Sequence, residues 1–109
     1  MTVNEMAKTL GLTVISATDV EREFSGVYIG DLLSWVMGRA RADNVWITIM
    51  SNINIVAVAS LADVACIILA EGVTVDENVR ATAEAKGINL YTSEKTAYEL
   101  ASMLARIDV

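Results

Sequence analysis

The chain has 109 residues, 54% of them hydrophobic, and carries a formal net charge of −6 without a single histidine. This length provides one domain with one core, and the lack of clustered Lys and Arg argues against nucleic acid or an anionic membrane surface as a partner. Without histidine, the chain also lacks the side chain that most often serves as a general base or metal ligand near neutral pH.

The only cysteine, Cys66, lies inside an apolar run, which predicts a buried and unreactive thiol. One cysteine cannot form a disulfide within the chain, and this fits the reducing cytoplasm. The first residues, MTVNEMAKTLG, lack the basic and apolar segments of a secretory signal. Ser60 and Asp63 interrupt the longest apolar region before it reaches the roughly 20 residues of a membrane span. We therefore expect a cytoplasmic protein.

The N-terminal segment predicts a short helix followed by a strand. Thr2 and Glu5 have the spacing of a capping box, and Gly11 is a typical helix end. The following residues, LTVISAT (12–18), are rich in β-branched side chains and predict a strand.

The next elements are a strand and a second short helix. The sequence VYI (27–29) predicts the strand. Asp31 directly precedes LLSWVM and predicts the N-cap of a two-turn helix that ends at Gly38.

The middle of the chain poses one ambiguity. The runs VWITIM (45–50) and ACIILA (65–70) are nearly continuous apolar segments, which is typical of parallel strands covered on both faces. The residues between them are β-branched too, but no Gly or Pro lies between Gly38 and Gly72 to form tight turns. Parallel strands need a crossover of about a dozen residues, usually a helix. Residues 52–62 are therefore predicted to be a helix, against their local propensity.

The C-terminal third predicts a helix, a strand and a final helix. Thr74 and Glu77 form a second pair with capping-box spacing, and Gly87 ends that helix. INLY (88–91) predicts the strand, and Ser93 is the expected cap of the last helix. The apolar face of that helix contains Ala97, Leu100, Ala101 and Leu104.

Three segments resemble the DRTGG domain family: VYIGDLLSWVMG, WITIMSNINIVAVASLADVACIILAEG and DENVRATAEAKGINLYTSEKTAYELA. The N-terminal domain of HPr kinase/phosphorylase is similar. The resemblance implies one domain, 1–109, with a three-layer α/β/α sandwich around a mainly parallel sheet of four to five strands. It implies a regulatory or assembly role and no established catalysis. The positions of the family's polar cluster and Thr-Gly-Gly are occupied by Ser51–Asn54 and Ala70–Gly72, without the family's Arg and first Gly.

A candidate ligand site follows from the parallel strands, because their carboxyl ends share one rim of the sheet. The polar residues expected there are Ser51, Asn52, Asn54, Glu71, Gly72, Thr92, Ser93 and Thr96. They suit a small neutral or zwitterionic ligand, and helix N-termini at the same rim would offer backbone N–H groups to an anion. The alternative is that these side chains only cap helices.

The composition of 52–62 predicts a homodimer. A helix that is apolar all round must be covered on more than one side, and a second copy of the chain is the simplest second cover. The expected interface residues are Trp35, Ile55, Val56, Val58 and Ala59, with more than about 1,200 Å² buried in total. A Val58→Glu substitution would then split the dimer.

These observations favour a non-catalytic regulatory or protein-interaction module without a cofactor. It would sense a nucleotide or another metabolite at the rim, or dock on a metabolic or redox enzyme. One alternative is a small enzyme that acts on a small metabolite at the same rim, and another is a purely structural subunit.

The carboxylates give no sign of a metal site. Asp31, Asp63 and Glu71 are far apart in sequence and have no histidine to complete a ligand set, so solvated or capping roles are expected for them. We predict that no divalent metal binds tightly. Elemental analysis of the pure protein should find no stoichiometric metal, and one zinc or iron per chain would contradict this prediction.

Overall fold

The computed structural model describes residues 1–107, so the predicted domain, 1–109, extends two residues beyond them. The elements in chain order are α1 (Val3–Leu10), β1 (Thr13–Ser16), β2 (Val27–Ile29), α2 (Leu33–Arg39), β3 (Val45–Thr48), α3 (Asn54–Ala62), β4 (Cys66–Leu69), α4 (Glu77–Ala85), β5 (Leu90–Thr92) and α5 (Ala97–Ile107). Within this described part, no helix has both the length and the apolar character needed to cross a membrane.

The five strands form one sheet in the order β1-β5-β4-β3-β2. Strands β2 to β5 run parallel to their neighbours, and β1 pairs antiparallel with β5. Each parallel connection contains one helix, and these three helices, α2, α3 and α4, pack on the same face of the sheet. Helices α1 and α5 cover the other face, which confirms the three-layer α/β/α sandwich with a mainly parallel sheet.

The ambiguous segment is a helix, as its length predicted. Helix α3 spans Asn54–Ala62 and connects the neighbouring parallel strands β3 and β4. It ends at Asp63, which has a left-handed conformation (φ 58°) and donates its N–H to the carbonyls of Ala59 and Ser60. Strand connectivity therefore outweighs the β-branched composition of this segment.

The sheet separates two hydrophobic cores, one on each face, whereas the chain length predicted a single core. Along β3 and β4, alternate side chains face α1 and α5, among them Ile47 and Ile68. Trp46 and Ile67 face α2, α3 and α4 instead. Every residue of both strands is buried, as expected for strands covered on both faces.

Four of the predicted interface residues belong to the second of these cores. Ile55, Val56, Val58 and Ala59 are at most 4% exposed, because the sheet and the flanking helices α2 and α4 cover this side of α3 within one chain. These four residues are therefore not available for a subunit interface, and the expectation that Val58→Glu would split a dimer is wrong as well.

Large apolar side chains are exposed to solvent on the outer side of α3, just before α3, and on α2. Leu61 is 71% exposed and Ile53 is 39% exposed. Trp35, the fifth predicted interface residue, is 52% exposed.

Two helix starts show where cap prediction succeeds and where it fails. In α1, Thr2 Oγ1 accepts from the N–H of Glu5 at 3.1 Å and Glu5 Oε1 accepts from the N–H of Thr2 at 2.8 Å, so the capping box is confirmed. Helix α4 is capped by Asp76 rather than by the Thr74–Glu77 pair. Asp76 Oδ1 accepts from the N–H of the third helical residue at 3.0 Å.

A buried asparagine holds the connection between β1 and β2 at the amino-end edge of the sheet. Asn89 Oδ1 accepts from the N–H groups of Thr18 and Asp19, at 3.0 and 2.9 Å. Its Nδ2 donates to the carbonyls of Asp19 and Ala65, at 2.9 and 3.0 Å. All hydrogen-bonding positions of the amide are thus occupied, which makes its burial tolerable.

The same connection is fixed by an ion-pair network around Arg22. The guanidinium donates to Asp43 Oδ1 at 2.8 and 3.0 Å and to Asp63 Oδ1 at 3.0 Å. Asp43 and Asp63 both have positive φ, 69° and 58°, and each lies just before a strand of the central sheet. One cation therefore stabilises two strained turns at once.

The corrected position of Val58 gives a prediction about stability. Val58→Glu should lower the free energy of unfolding by about 3–5 kcal/mol, because the carboxylate would be buried without a partner. The matched control is Ala57→Glu, at the neighbouring exposed position, which should change stability by about 0.5 kcal/mol or less. Urea denaturation followed by far-UV circular dichroism measures both. Equal stability of the two variants would contradict the burial of Val58.

Candidate functional site

The carboxyl ends of β2, β3, β4 and β5 lie at one edge of the sheet because these strands are parallel. We call this edge the carboxyl rim; its connecting segments are 30–32, 49–53, 70–76 and 93–96. All eight predicted rim residues lie in or next to these segments. Open α/β sheets bind ligands at such a rim, especially where two neighbouring connections leave toward opposite faces.

In this sheet, the connections after β4 and β5 leave toward opposite faces, because α4 and α5 lie on opposite faces. The crevice between the ends of β4 and β5 is therefore the expected ligand position. The two connections bridge it with their own backbone. The N–H of Gly72 donates to the carbonyl of Ser93 at 2.8 Å, and the N–H of Glu71 donates to the carbonyl of Lys95 at 2.8 Å. The hydroxyl of Thr92 donates to the carbonyl of Val73. Glu71, Gly72, Thr92 and Ser93 are thus brought together.

The hydroxyls and amides of the rim are largely engaged with nearby backbone. Ser93 Oγ accepts from the N–H of Lys95 at 3.1 Å, so it closes a turn rather than capping α5. The α5 cap is Thr96, which exchanges hydrogen bonds with Glu99 in a capping-box arrangement. These contacts match the alternative in which the polar residues shape helix ends.

The segment after β3 is separate from this cluster. Asn52 Oδ1 accepts from the N–H of Asn54 at 2.9 Å, a local turn contact. Ser51 and Asn54 are exposed. Within residues 1–107, no hydrogen bond joins 51–54 to the loops after β4 and β5. Parallel strands therefore bring these residues to one edge without bringing their side chains into contact.

The turn at Ala70–Gly72 contains two left-handed residues in succession. Glu71 has φ 59° and Gly72 has φ 74°. Glycine adopts this conformation freely, whereas a residue with a Cβ atom is strained in it. Glu71 therefore occupies, at a cost, a backbone position that suits glycine.

Sequence reasoning missed the residue that organises the β2 end of the rim. Asp31 was predicted as a helix cap, but α2 begins after Leu32 without a side-chain cap. The Asp31 carboxylate instead accepts from Thr48 Oγ1 at 2.8 Å and from the N–H of Ile49 at 3.0 Å. The partner lies 17 residues away, and no local pattern signals such a contact.

A cavity of about 430 Å³ opens beside Asp31. Its lining is Tyr28, Ile29, Gly30, Asp31, Leu32, Trp35 and Arg39. The Arg39 guanidinium stacks on Trp35, 3.6 Å from the ring centroid. A second cavity of about 350 Å³ lies between α3 and α4, with Ile53, Ala57, Leu61 and Lys86 in its lining.

The side chains that bear chemistry are dispersed. Within residues 1–107, no three Asp, Glu or Cys side chains gather in a group that could hold a metal ion. Cys66 is fully buried, and this burial raises the pKa of its thiol to about 12. The thiol is therefore protonated and unreactive at neutral pH.

The fold and the rim define a small three-layer α/β/α module with a carboxyl rim shaped mainly by backbone contacts. The DRTGG domain model matches residues 5–107. The chain therefore belongs to the DRTGG domain family, which confirms the resemblance seen in the sequence.

A solved structure shows the same fold. It contains the CBS and DRTGG domains of the regulatory region of Clostridium perfringens pyrophosphatase, complexed with an activator, diadenosine tetraphosphate. The TM-score is 0.72 at 12% sequence identity, over 93% of this chain and 44% of that chain. This chain thus spans less than half of that neighbour. No curated protein gives a significant match.

The strained turn gives a prediction. Glu71→Gly should be more stable than Glu71→Ala by about 1 kcal/mol, because only glycine relieves the left-handed conformation while both variants remove the carboxylate. Urea denaturation of the two variants measures the difference. A more stable alanine variant would contradict the left-handed conformation at position 71.

Proposed function

We propose that this chain is a non-catalytic regulatory module that works as a homodimer and senses a small ligand, a nucleotide or another metabolite, at the carboxyl rim. The main support is membership of the DRTGG family together with a structural neighbour that is the regulatory region of an enzyme. That neighbour was complexed with a nucleotide activator, and the proposal transfers a ligand of this class to the present chain.

The rim chemistry supports binding over catalysis. The hydroxyls of Ser93 and Thr96, which follow β5 at the crevice between β4 and β5, accept local hydrogen bonds from the backbone. A hydroxyl nucleophile would need a general base, and Thr96 Oγ1 does donate to the Glu99 carboxylate at 3.3 Å. The N–H of Thr96 donates to the same oxygen and lowers the pKa of that carboxyl, which makes it a weak general base. The alternative of a small enzyme at this rim would require a different set of residues.

The groups that remain accessible indicate how a ligand would be held. Ser51, Asn54 and Glu71 are exposed at the rim. A ligand there would meet a hydroxyl, an amide and a carboxylate. The ribose hydroxyls and the base edges of a nucleotide are polar groups that such a surface can bind by hydrogen bonds.

The remaining functional expectations stay predictions. They are a cytoplasmic location, and docking on a metabolic or redox enzyme whose activity the module would adjust. If ligand binding changes the dimer contact or the outer surface of the dimer, it would link ligand sensing to docking on the enzyme.

A thermal-shift screen tests ligand sensing. Adenine nucleotides, inorganic phosphate and free amino acids are added separately, and a ligand at 100 times its Kd should stabilise the fold by about 2.7 kcal/mol. Asn54→Ala should reduce the ligand-induced rise in Tm. Asn4→Ala, in α1 on the opposite face of the sheet, should leave it unchanged.

Three outcomes contradict parts of the proposal. No stabilisation by any compound would favour a purely structural subunit. Conversion of a compound into a product would favour the enzyme alternative. An unchanged shift in the Asn54→Ala variant would place the ligand away from this part of the rim.

A further inference from the structure

Among residues 1–107, strand β2 ends the sheet, and no other strand pairs with its outer edge. Gly26 accepts a hydrogen bond from β3 at 2.9 Å and Gly30 donates one to β3 at 3.2 Å. Alternate residues of a strand direct their backbone groups to the same side, so the N–H and C=O groups of Val27 and Ile29 point away from the sheet. A regular edge with free donors and acceptors is a template for pairing with another strand.

Nothing in β2 blocks such pairing. Natural edge strands are commonly protected by charged side chains, proline or a bulge. The opposite edge strand, β1, has a register irregularity between Val14 and Ser16. Strand β2 reads Val-Tyr-Ile and has an unbroken register with β3. The two edges of the sheet therefore differ, and only β2 is regular.

The surroundings of this edge are apolar. Ile29, Leu32 and Trp35 are 50%, 57% and 52% exposed and line one cavity. Ile49 is also about half exposed and adjoins them through the hydrogen bond from its N–H to Asp31. We call Ile29, Leu32, Trp35 and Ile49 the edge patch. A tryptophan beside exposed aliphatic side chains is typical of an interface anchor.

We propose that β2 pairs antiparallel with β2 of a second copy of the chain, across a two-fold axis that passes beside Tyr28. This inference rests on the proposed homodimer and names its surface. Val27 would lie opposite Ile29 of the second copy, and the four free backbone groups of each strand would form four hydrogen bonds. The two sheets would become one sheet of ten strands, and the two edge patches would cover each other.

The charges of this region fit a second copy as the occupant. The cavity has one carboxylate, Asp31, and one guanidinium, Arg39, which makes no salt bridge within residues 1–107. Each copy therefore presents both signs of charge at the contact, although the whole chain carries −6. A three-residue edge gives a foreign peptide few hydrogen bonds, whereas a second copy adds its own apolar patch to the contact.

Sedimentation at micromolar concentration tests the surface with two matched variants. The unmodified protein should have twice the 11.7 kDa mass of one chain. Ile29→Lys places a charge on the β2 edge and should raise the dissociation constant of the dimer by about 100-fold or more. The variant should then sediment with the mass of a single chain. Val14→Lys makes the same kind of change on the β1 edge, where Val14 is 58% exposed against 50% for Ile29, and should leave the dimer intact.

A second variant covers the case in which Ile29→Lys does not fold. Residues opposite each other at the axis have Cα atoms about 4.5 Å apart, within the range of a disulfide. Tyr28→Cys should therefore form a covalent dimer on oxidation, seen on a non-reducing gel. Val14→Cys should not, and the unmodified protein should not, since Cys66 is buried.

The outcomes separate this surface from the homodimer itself. A dimer mass that survives Ile29→Lys, or a Tyr28→Cys protein that stays uncrosslinked while dimeric, would overturn the β2 edge as the contact and leave the homodimer standing. A single-chain mass for the unmodified protein would overturn both.

Discussion

Complete burial of β3 and β4 is the constraint on which the rest of this fold depends. Their side chains point alternately to both faces, so each face needs its own helical layer within a chain of 109 residues. The three crossover helices provide one layer, and α1 and α5 provide the other. Because α2 and α4 flank α3, the inner side of this apolar helix is already covered within one subunit, and any contact with a partner must use other residues.

Much of this architecture could be predicted because it follows from connectivity and periodicity. The parallel strands required a crossover, which identified α3 despite its β-branched residues, and the spacing of Leu100 and Leu104 identified the inner face of α5. The orientation of α3 could not be predicted in the same way. A helix with apolar residues all round contains no periodic signal that distinguishes the side facing the core from the side facing solvent.

The carboxyl rim shows the same limit. Strand ends predicted where polar residues would gather, but not which backbone groups would take their hydrogen bonds. The cap of α5 is Thr96, three residues beyond the predicted Ser93, because the Ser93 hydroxyl closes a turn instead. Asp31 bonds to Thr48, and Arg22 bonds to Asp43 and Asp63, through contacts between segments that are distant in sequence. Such contacts depend on the assembled fold, so local sequence patterns do not reveal them.

The position of β1 has a consequence for how the chain folds and opens. Strands β2 to β5 can be added one after another, since each pairs with the strand that follows it along the chain. Strand β1 pairs with β5 instead, and the hydrogen bond from Thr18 to Asn89 spans 71 residues. Closing so long a loop has an entropic cost that is repaid only after β5 is in place. We therefore expect β1 to dock late and to exchange its amide hydrogens before the central strands do, so that α1 and β1 form the least cooperative part of the domain.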